Sequence, residues 1–577
     1  MAEPRTDLPR QHPAANTLRI GFTVTAAASL VLGYVGFGIF LRDSTQYGNR
    51  PLDLLYYDVQ LFVLGADPLQ QAGPYPWPLE IARYAAPLAT ITALVEAARL
   101  LFAVELRRLR ARRAHDHVIV CGDTPLAEIL SRRLHASGNR VVQIRSQSGS
   151  VAPSPSYPLL VLGDGRDAGT LSAAGLHRAT ALYACTQESA ANIAIGLTAG
   201  RGRRLRSPSL PIYTHVPDPD LCLTLQARYL GLPNPPGARL DFFNVDDLAA
   251  RKLFMEEPLA PGDGPAPHLL VAGMTAFGRA LIVEAARHWR RRPDSAPGSA
   301  LHIALVAGDA TETLGHLTHR YPFLRHACRL RAYDEDLVDL LVNGELNDPP
   351  DRAYICYEDE ERALKTALTA DRYWRGRRNS TVVRLDQLAD FREDGGLASQ
   401  LFDEGPTRLR VYGVLRAACD PMLIAEDLVE RLARVIHDRY LAARHSHGDA
   451  RMTSPSIVPW EDLSPELRQT NRAQAEDIGR KLRAIGCVLI PRMRQAEEDV
   501  MSEVEVERLA MMEHERWCME RLAAGWRFAD RRDDRRKLHP ALRDWSTLPA
   551  DLRERNHDAV REVPLILADA GFQLVRV

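Results

Sequence analysis

Neither a zinc site nor a disulfide framework is written into this chain. Its eight cysteines, Cys121, Cys185, Cys222, Cys328, Cys356, Cys419, Cys487 and Cys518, are scattered without a Cys-x-x-Cys pair, and several lie in apolar strand-like runs. Buried thiols in a reducing compartment fit that pattern. An excess of charge is missing too: 73 basic residues stand against 74 acidic ones, so no global field argues for nucleic acid as a partner. No P-loop, nucleophile elbow or kinase signature occurs. His514-Glu515-Arg516-Trp517-Cys518 lacks the second histidine that a zinc-protease helix places at its fifth position. Neither catalysis nor a metal site is therefore expected.

What is present begins with hydrophobicity. At 577 residues the chain exceeds what one core fills and should split into three or four units. Residues 1–16 are polar and proline-bearing and read as a disordered tail. Thr17 to Leu41 is apolar apart from Arg19, and its length suits the roughly 20 residues that cross a bilayer. A cleaved signal would have a shorter apolar core, about 7–15 residues, and a small-residue cleavage site. A second apolar run, Leu79 to Val104, carries Glu80, Arg83, Glu96 and Arg99. It reads as a second span or as an interfacial amphipathic helix. Glu96 and Arg99 lie one turn apart and can pair.

Five arginines in Glu105–Arg113 follow this run, and Arg5, Arg10 and Arg19 accompany the first. Positive charge at the outer ends of both runs places both termini in the cytoplasm and residues 42–78 outside, in a membrane region 17–114. Within that loop Asp53–Pro68 is apolar and aromatic and reads as a short helix at the membrane face, where a two-helix cation channel carries its pore helix. No TVGYG-type carbonyl filter accompanies it.

Past the arginines the pattern turns to soluble α/β. His117 to Ile144 reads as strand, tight turn, helix and second strand. Such a unit binds a dinucleotide when three glycines let backbone approach the pyrophosphate and an acidic residue about 20 positions on takes the ribose hydroxyls. Here Gly122 is kept, Thr124 and Ala127 stand at the other two glycine positions, and Arg145 stands where an acid is expected. Arg145 would suit a phosphorylated ligand; the alternative is a site that has lost its nucleotide. Leu159 to Arg201 continues as strand, Gly163-Asp164-Gly165 turn, helix, strand and helix. With Leu171, Ala174-Gly175, Ala179, Thr186 and Asn192, this series resembles the N-terminal domain of TrkA and RCK (regulator of K+ conductance) proteins over residues 115–245.

A second copy follows a Pro/Gly-rich linker, Pro258–His268. His268 to Trp289 repeats strand, turn and helix with Gly273, Thr275 and Gly278 in the glycine positions, and Arg352–Trp374 parallels Ala181–Arg201. The domains expected are a first Rossmann unit over 115–257 and a second, degenerate one over 268–410. The resemblance implies that tandem copies pack face to face beneath a membrane domain and that NAD(H) or a related nucleotide is the cofactor, with Gly122, Thr124, Arg145, Gly163, Asp164, Gly273 and Gly278 at its sites. Val411–Ala443 has helical periodicity, with Leu428, Leu432, Val435, Ile436 and Tyr440 on one stripe. It reads as a connecting helix, followed by a linker to residue 454.

The last segment, 455–577, resembles the RyR domain named for the repeats of ryanodine receptors. The match rests on Asn471, Arg472, Lys481, Leu482, Glu513, His514, Arg516, Trp517, Gly525, Trp526, Asp534, Lys537, His539, Pro540, Trp545, Asn556 and Gly571-Phe572. Asp462 or Ser464 can cap its first helix. The resemblance implies a mainly helical module that senses a nucleotide-derived small molecule. Aromatic faces stack a base and cations hold phosphate, so Trp517 and Trp526 are candidates for stacking, and Arg472, His514, Arg516, Lys537 and His539 for the polar contacts. A tryptophan in a helical pair serves equally as core, and the residues alone leave both roles open.

The reading as a whole is an α/β protein of the bacterial inner membrane: two transmembrane helices, tandem Rossmann domains in the cytoplasm and a RyR domain. It is expected to be a homo-oligomer, tetramer or dimer, that conducts or regulates potassium or another cation under control of a nucleotide-like ligand. The alternatives are a non-conducting subunit of a separate cation transporter and an NAD(P)-dependent oxidoreductase.

Overall fold

The computed structural model describes residues 13–42, 44, 46–63, 65–70, 74–146, 159–202, 209–230, 238–259, 266–290, 300–346, 349–374, 380–389, 408–446, 456–493 and 501–577. Arg5 and Arg10, most of both linkers, and the side chains of Arg19, Glu96, Arg99 and residues 100–110 lie outside that description. Two compact units are separated, Met1–Arg110 and Ala111–Val577.

In the first unit a helix spans Pro13–Phe40. Its Thr23–Phe40 window is long and apolar enough to cross a membrane by length and composition, and no other window among the described residues is. The run expected to make a second span lies in the helix Trp77–Arg113, which has Pro87 inside it. The short helix expected in the loop is found at Pro51–Leu61, with Pro51 at its first turn and Asp53 accepting from the Arg50 amide at 3.3 Å. Phe37, Leu41, Leu54, Leu61, Leu79 and Ala82 form its core.

The second unit begins with six parallel strands, β1 (His117–Cys121), β2 (Arg140–Arg145), β3 (Leu159–Leu162), β4 (Ala179–Ala184), β5 (Leu210–His215) and β6 (Ala238–Phe243), in the order β3-β2-β1-β4-β5-β6. Strands β7 (His268–Ala272), β8 (Leu301–Val306), β9 (Cys328–Tyr333), β10 (Arg352–Ile355), β11 (Ser380–Arg384) and β12 (Arg408–Tyr412) repeat that order as β9-β8-β7-β10-β11-β12. Every residue of β1 is buried, as befits a central strand covered on both faces. The repeat read from the sequence is therefore a doubled, doubly wound α/β fold. Its halves share one core. Leu248, Ala249, Leu253 and Phe254 of the helix Val245–Glu256 bury against Phe277, Leu281 and Trp289 of the helix Ala276–Arg290.

Val411 and Tyr412, expected to open a connecting helix, are instead the end of β12. Pairing of β12 with β11 captures them, and Tyr412 donates its hydroxyl to the Ala249 carbonyl at 2.8 Å. The helix proper starts later, at Leu428–Ser446. Its stripe of Leu428, Leu432 and Ile436 is buried, as periodicity predicts, but against the last part of the chain. There the helix Pro465–Ala484 is capped by Ser464, which accepts from the Leu467 amide at 3.3 Å. Strand β13 (Cys487–Pro491) pairs antiparallel with the final strand, Phe572–Arg576. Between them lie the helices Glu503–Ala523, Ala550–Arg561 and Val563–Asp569, the first started by a Ser502/Glu505 capping box.

Candidate functional site

At the first Rossmann turn, Gly122 has φ +142° and a Cβ there would run into the Cys185 carbonyl, so glycine is required by both conformation and space. Thr124 caps the helix Pro125–Ala136: its hydroxyl accepts from the Ala127 amide at 3.2 Å and donates to Cys185 O at 2.6 Å. The second turn repeats the device. Thr275 accepts from the Gly278 amide at 3.2 Å and donates to Cys356 O at 2.8 Å. In each copy a hydroxyl thus satisfies one of the amides that would otherwise face a phosphate.

Arg145 does end β2, and it forms an ion pair with Asp123 at 3.3 Å, while Ser146 also binds the Asp123 carboxylate. Asp164 is tied to Arg166 at 2.7 Å, and the hydrogen bonds from Arg166 hold its carboxyl below the usual range. Asn192 joins Thr186 to the His215 carbonyl, accepting at 2.7 Å and donating at 3.0 Å, and so sets the loops after β4 and β5. In the second copy the Tyr357 ring lies close to the turn: a Cβ on Gly273 would stand 2.9 Å from it, and the Arg362 guanidinium lies over the ring, 4.2 Å from its centroid. By strand register Ala307 takes the place that Arg145 has in the first copy; Asp309, two residues on, accepts from Thr313 at 3.4 Å.

Near the C-terminus the polar and aromatic stretch closes on itself. His539 lies edge-on to Trp517 at 4.9 Å and to Trp526 at 6.2 Å between ring centroids. The Arg521 guanidinium sits over both indoles, 5.8 Å from Trp517 and 5.1 Å from Trp526. Burial, helped by Arg532 and Arg521, lowers the His539 pKa to about 4, so the ring is neutral at pH 7. Its Nδ1 accepts from the Ala541 amide at 3.1 Å, which assigns the ring proton to Nε2, a donor with no acceptor among the described residues. The Arg521 Nε is buried without a hydrogen-bond partner. Two half-buried π faces, a cation and a neutral donor thus meet in one box.

A TrkA-N domain model matches residues 118–227, and a RyR domain model matches residues 498–576. The chain combines a TrkA-N domain with a RyR domain. Among solved structures it is similar to GsuK bound to ADP, 13% identical over 72% of this chain and 97% of that one with a TM-score of 0.35. It is similar also to the GsuK channel bound to NAD, at 10% identity, 87% and 91% coverage and a TM-score of 0.35. Dipicolinate synthase A chain from Bacillus subtilis follows at 8% identity, 59% and 99% coverage and a TM-score of 0.23. No curated protein matches the chain.

Within the RyR domain the structure brings Trp517, Trp526 and His539 together and takes other sequence candidates elsewhere. Arg516 binds Glu513 at 2.7 Å and Glu520 at 2.6 Å, in a buried network that includes Lys481. Arg472 is paired with Glu430 of the preceding helix. His514 is buried and bonded to the Arg543 carbonyl at 2.8 Å. Lys537 has φ +54° and donates to the Ala524 carbonyl at 2.8 Å, closing the end of the helix Glu503–Ala523. Arg521 is the cation that sequence reasoning missed. Its spacing, four residues after Trp517 on a helix face, was the available signal.

The RyR domain is docked on both Rossmann copies. The helix Pro219–Tyr229 packs its Leu223 and Ala227 into the RyR core. Asp569 receives Arg290 at 3.2 Å and Arg439 at 3.3 Å, and its carbonyl receives Arg287 at 3.2 Å. The His319 ring bonds to the Met493 carbonyl at 2.8 Å.

Proposed function

We propose that this is a ligand-sensing protein of the bacterial inner membrane that conducts or regulates potassium or another cation, with the RyR box as its input. The box carries the proposal. Trp517 and Trp526 offer faces for a heteroaromatic base, worth about 1–3 kcal/mol per stacked base. Arg521 offers a cation for a phosphate or carboxylate, and His539 Nε2 a neutral hydrogen bond. A nucleotide-derived small molecule satisfies all three. NAD(H) or a related nucleotide in the TrkA-N turn would be held at Gly122 and Gly163, with Arg145 turned toward a phosphorylated ribose once released from Asp123.

The apolar helix Thr23–Phe40 supports a membrane location, and Trp77–Arg113 is the second span in this reading, with both termini cytoplasmic. Ligand in the box shifts the packing of the helix Glu503–Ala523 and, through Asp569 and the helix Pro219–Tyr229, of the two Rossmann copies. Such a ligand acts only as far as it binds the two states with different affinity. An oligomer is required, since two helices do not line a pore.

Full-length protein in potassium-loaded liposomes tests this with a panel of NAD, NADP, ADP-ribose, ATP and cyclic nucleotides. At least one should raise the melting temperature and change ion flux, and Arg521→Gln should abolish the shift while lowering the basal melting temperature less than Arg516→Gln does. No shift with any compound sinks the sensing role. A shift without flux favours the second reading, a non-conducting regulator of a separate transporter.

A further inference from the structure

One face of the helix Glu503–Ala523 lies against nothing among the described residues. Val504, Met511, Met519 and Leu522 are 81, 39, 64 and 59% exposed, and Arg508 and Glu515 are exposed between them. At 100° per residue these six positions fall within one narrow stripe along a helix about 31 Å long. Neither Arg508 nor Glu515 has an ion-pair partner among the described residues, although the other face of the same helix pairs Arg516 with Glu513 and Glu520.

The stripe is antisymmetric in charge about its middle. Turned end for end about a point midway between positions 511 and 512, it places Arg508 opposite Glu515, Val504 opposite Met519, and Met511 within about one residue rise, 1.5 Å, of its own copy. A two-fold contact requires that residue i meet j and j meet i, and this stripe meets that condition with opposite charge at both polar positions. Thioether side chains adapt to such packing.

We propose that this face is an interface with a second copy of the same chain, in which two Glu503–Ala523 helices pack antiparallel through Met511, with Arg508–Glu515 pairs on either side. Six side chains cover less than the about 800 Å² per partner of a free-standing interface. The contact is therefore a joint within a larger assembly. It brings together two helices whose C-terminal halves carry Trp517 and Arg521, so ligand in one box reaches the helix shared with the other.

Cysteine cross-linking of the full-length protein in the membranes of cells that express it tests this, with the unsubstituted chain as background. Met511→Cys should form a covalent dimer under mild oxidation. Val504→Cys and Met519→Cys chains should cross-link to each other when co-expressed and neither to itself. Arg508→Glu should reduce the Met511→Cys dimer about tenfold, because symmetry counts the reversed charge twice. Adding Glu515→Arg to Arg508→Glu should restore at least half. The proposal is overturned if Met511→Cys gives no dimer, if it captures a different protein instead, or if the single and double charge variants give the same yield. These exposed positions lie outside the box, so a failure here leaves ligand binding untouched and distinguishable.

Discussion

Arg516 and Arg521 are one turn and a residue apart on the same helix, and their surroundings differ: carboxylates hold the first, two indoles face the second. Replacing Arg516 by Gln removes a two-pronged ion pair to Glu513, Nη2 to Oε1 at 2.7 Å and Nε to Oε2 at 3.1 Å, together with the 2.6 Å contact to Glu520. The side chains of Arg516 and Glu513 are only 10 and 8% exposed. Burial opposes the Glu513 charge, yet Lys481 and Arg516 hold its pKa below the ordinary value. Breaking a buried pair costs about 3–5 kcal/mol because a charge is stranded. Lys481 remains beside Glu513, so the lower end applies, about 3 kcal/mol. Since about 1.4 kcal/mol is a factor of ten, amides of the helix Glu503–Ala523 should exchange with solvent about a hundredfold faster. Hydrogen exchange suits a multidomain chain because it reads local opening. Arg521→Gln should change the same amides by well under a hundredfold, since two cation–π contacts of about 0.5–1 kcal/mol each are lost. Equal effects of the two substitutions, or an Arg516→Gln helix as protected as the parent, would refute the division between a structural and a ligand-facing arginine.

Further outcomes follow from other parts of the molecule. Gly273→Ala should destabilise the second Rossmann copy by about 1–3 kcal/mol, because φ is +90° and the new Cβ would sit 3.0 Å from the Tyr357 amide. Gly308→Ala, with open space around it, should leave the melting temperature alone. Asp569→Asn should weaken RyR docking by about 1 kcal/mol, seen as faster exchange in the helix Val563–Asp569 with β1 unchanged. His557 binds Glu507 at 2.6 Å and Glu554 at 3.1 Å; burial would lower its pKa, but these carboxylates raise it above 6.5. Its contribution is complete below about pH 6.5 and fades as pH rises through the raised folded value. Melting temperatures across that upward window should fall in the parent and flatten in His557→Gln; a parallel fall in both would refute the assignment.

The two sheets were legible because strands covered on both faces must be continuous apolar runs, and because Gly122/Thr124 and Gly273/Thr275 mark the same turn twice. What was not legible depends on partners far away in the chain. The Arg145 that breaks the dinucleotide pattern is explained by Asp123, 22 residues earlier, and the stranded-looking Glu513 by Lys481, 32 residues earlier. Val411-Tyr412 could not be told from the start of a helix, since a short apolar run fits either state until β11 supplies its ladder. Trp517, Trp526 and His539, named from the sequence, do come together. Which arginine was spare depended on Glu513 and Glu520 having already taken Arg516.

The pairing of β13 with Phe572–Arg576 has a consequence for the order in which the protein is made. The apolar stripe Leu428, Leu432 and Ile436 leaves the ribosome well over a hundred residues before the strand that completes its core. During that interval, at about 5–20 residues per second, the stripe must be shielded by Leu223 and Ala227 of the already folded first Rossmann copy or be exposed to other chains. The helix Pro219–Tyr229 is thus the surface at hand to cover the stripe, and loss of the last strand would leave a nascent chain with an open apolar seam and a free strand edge.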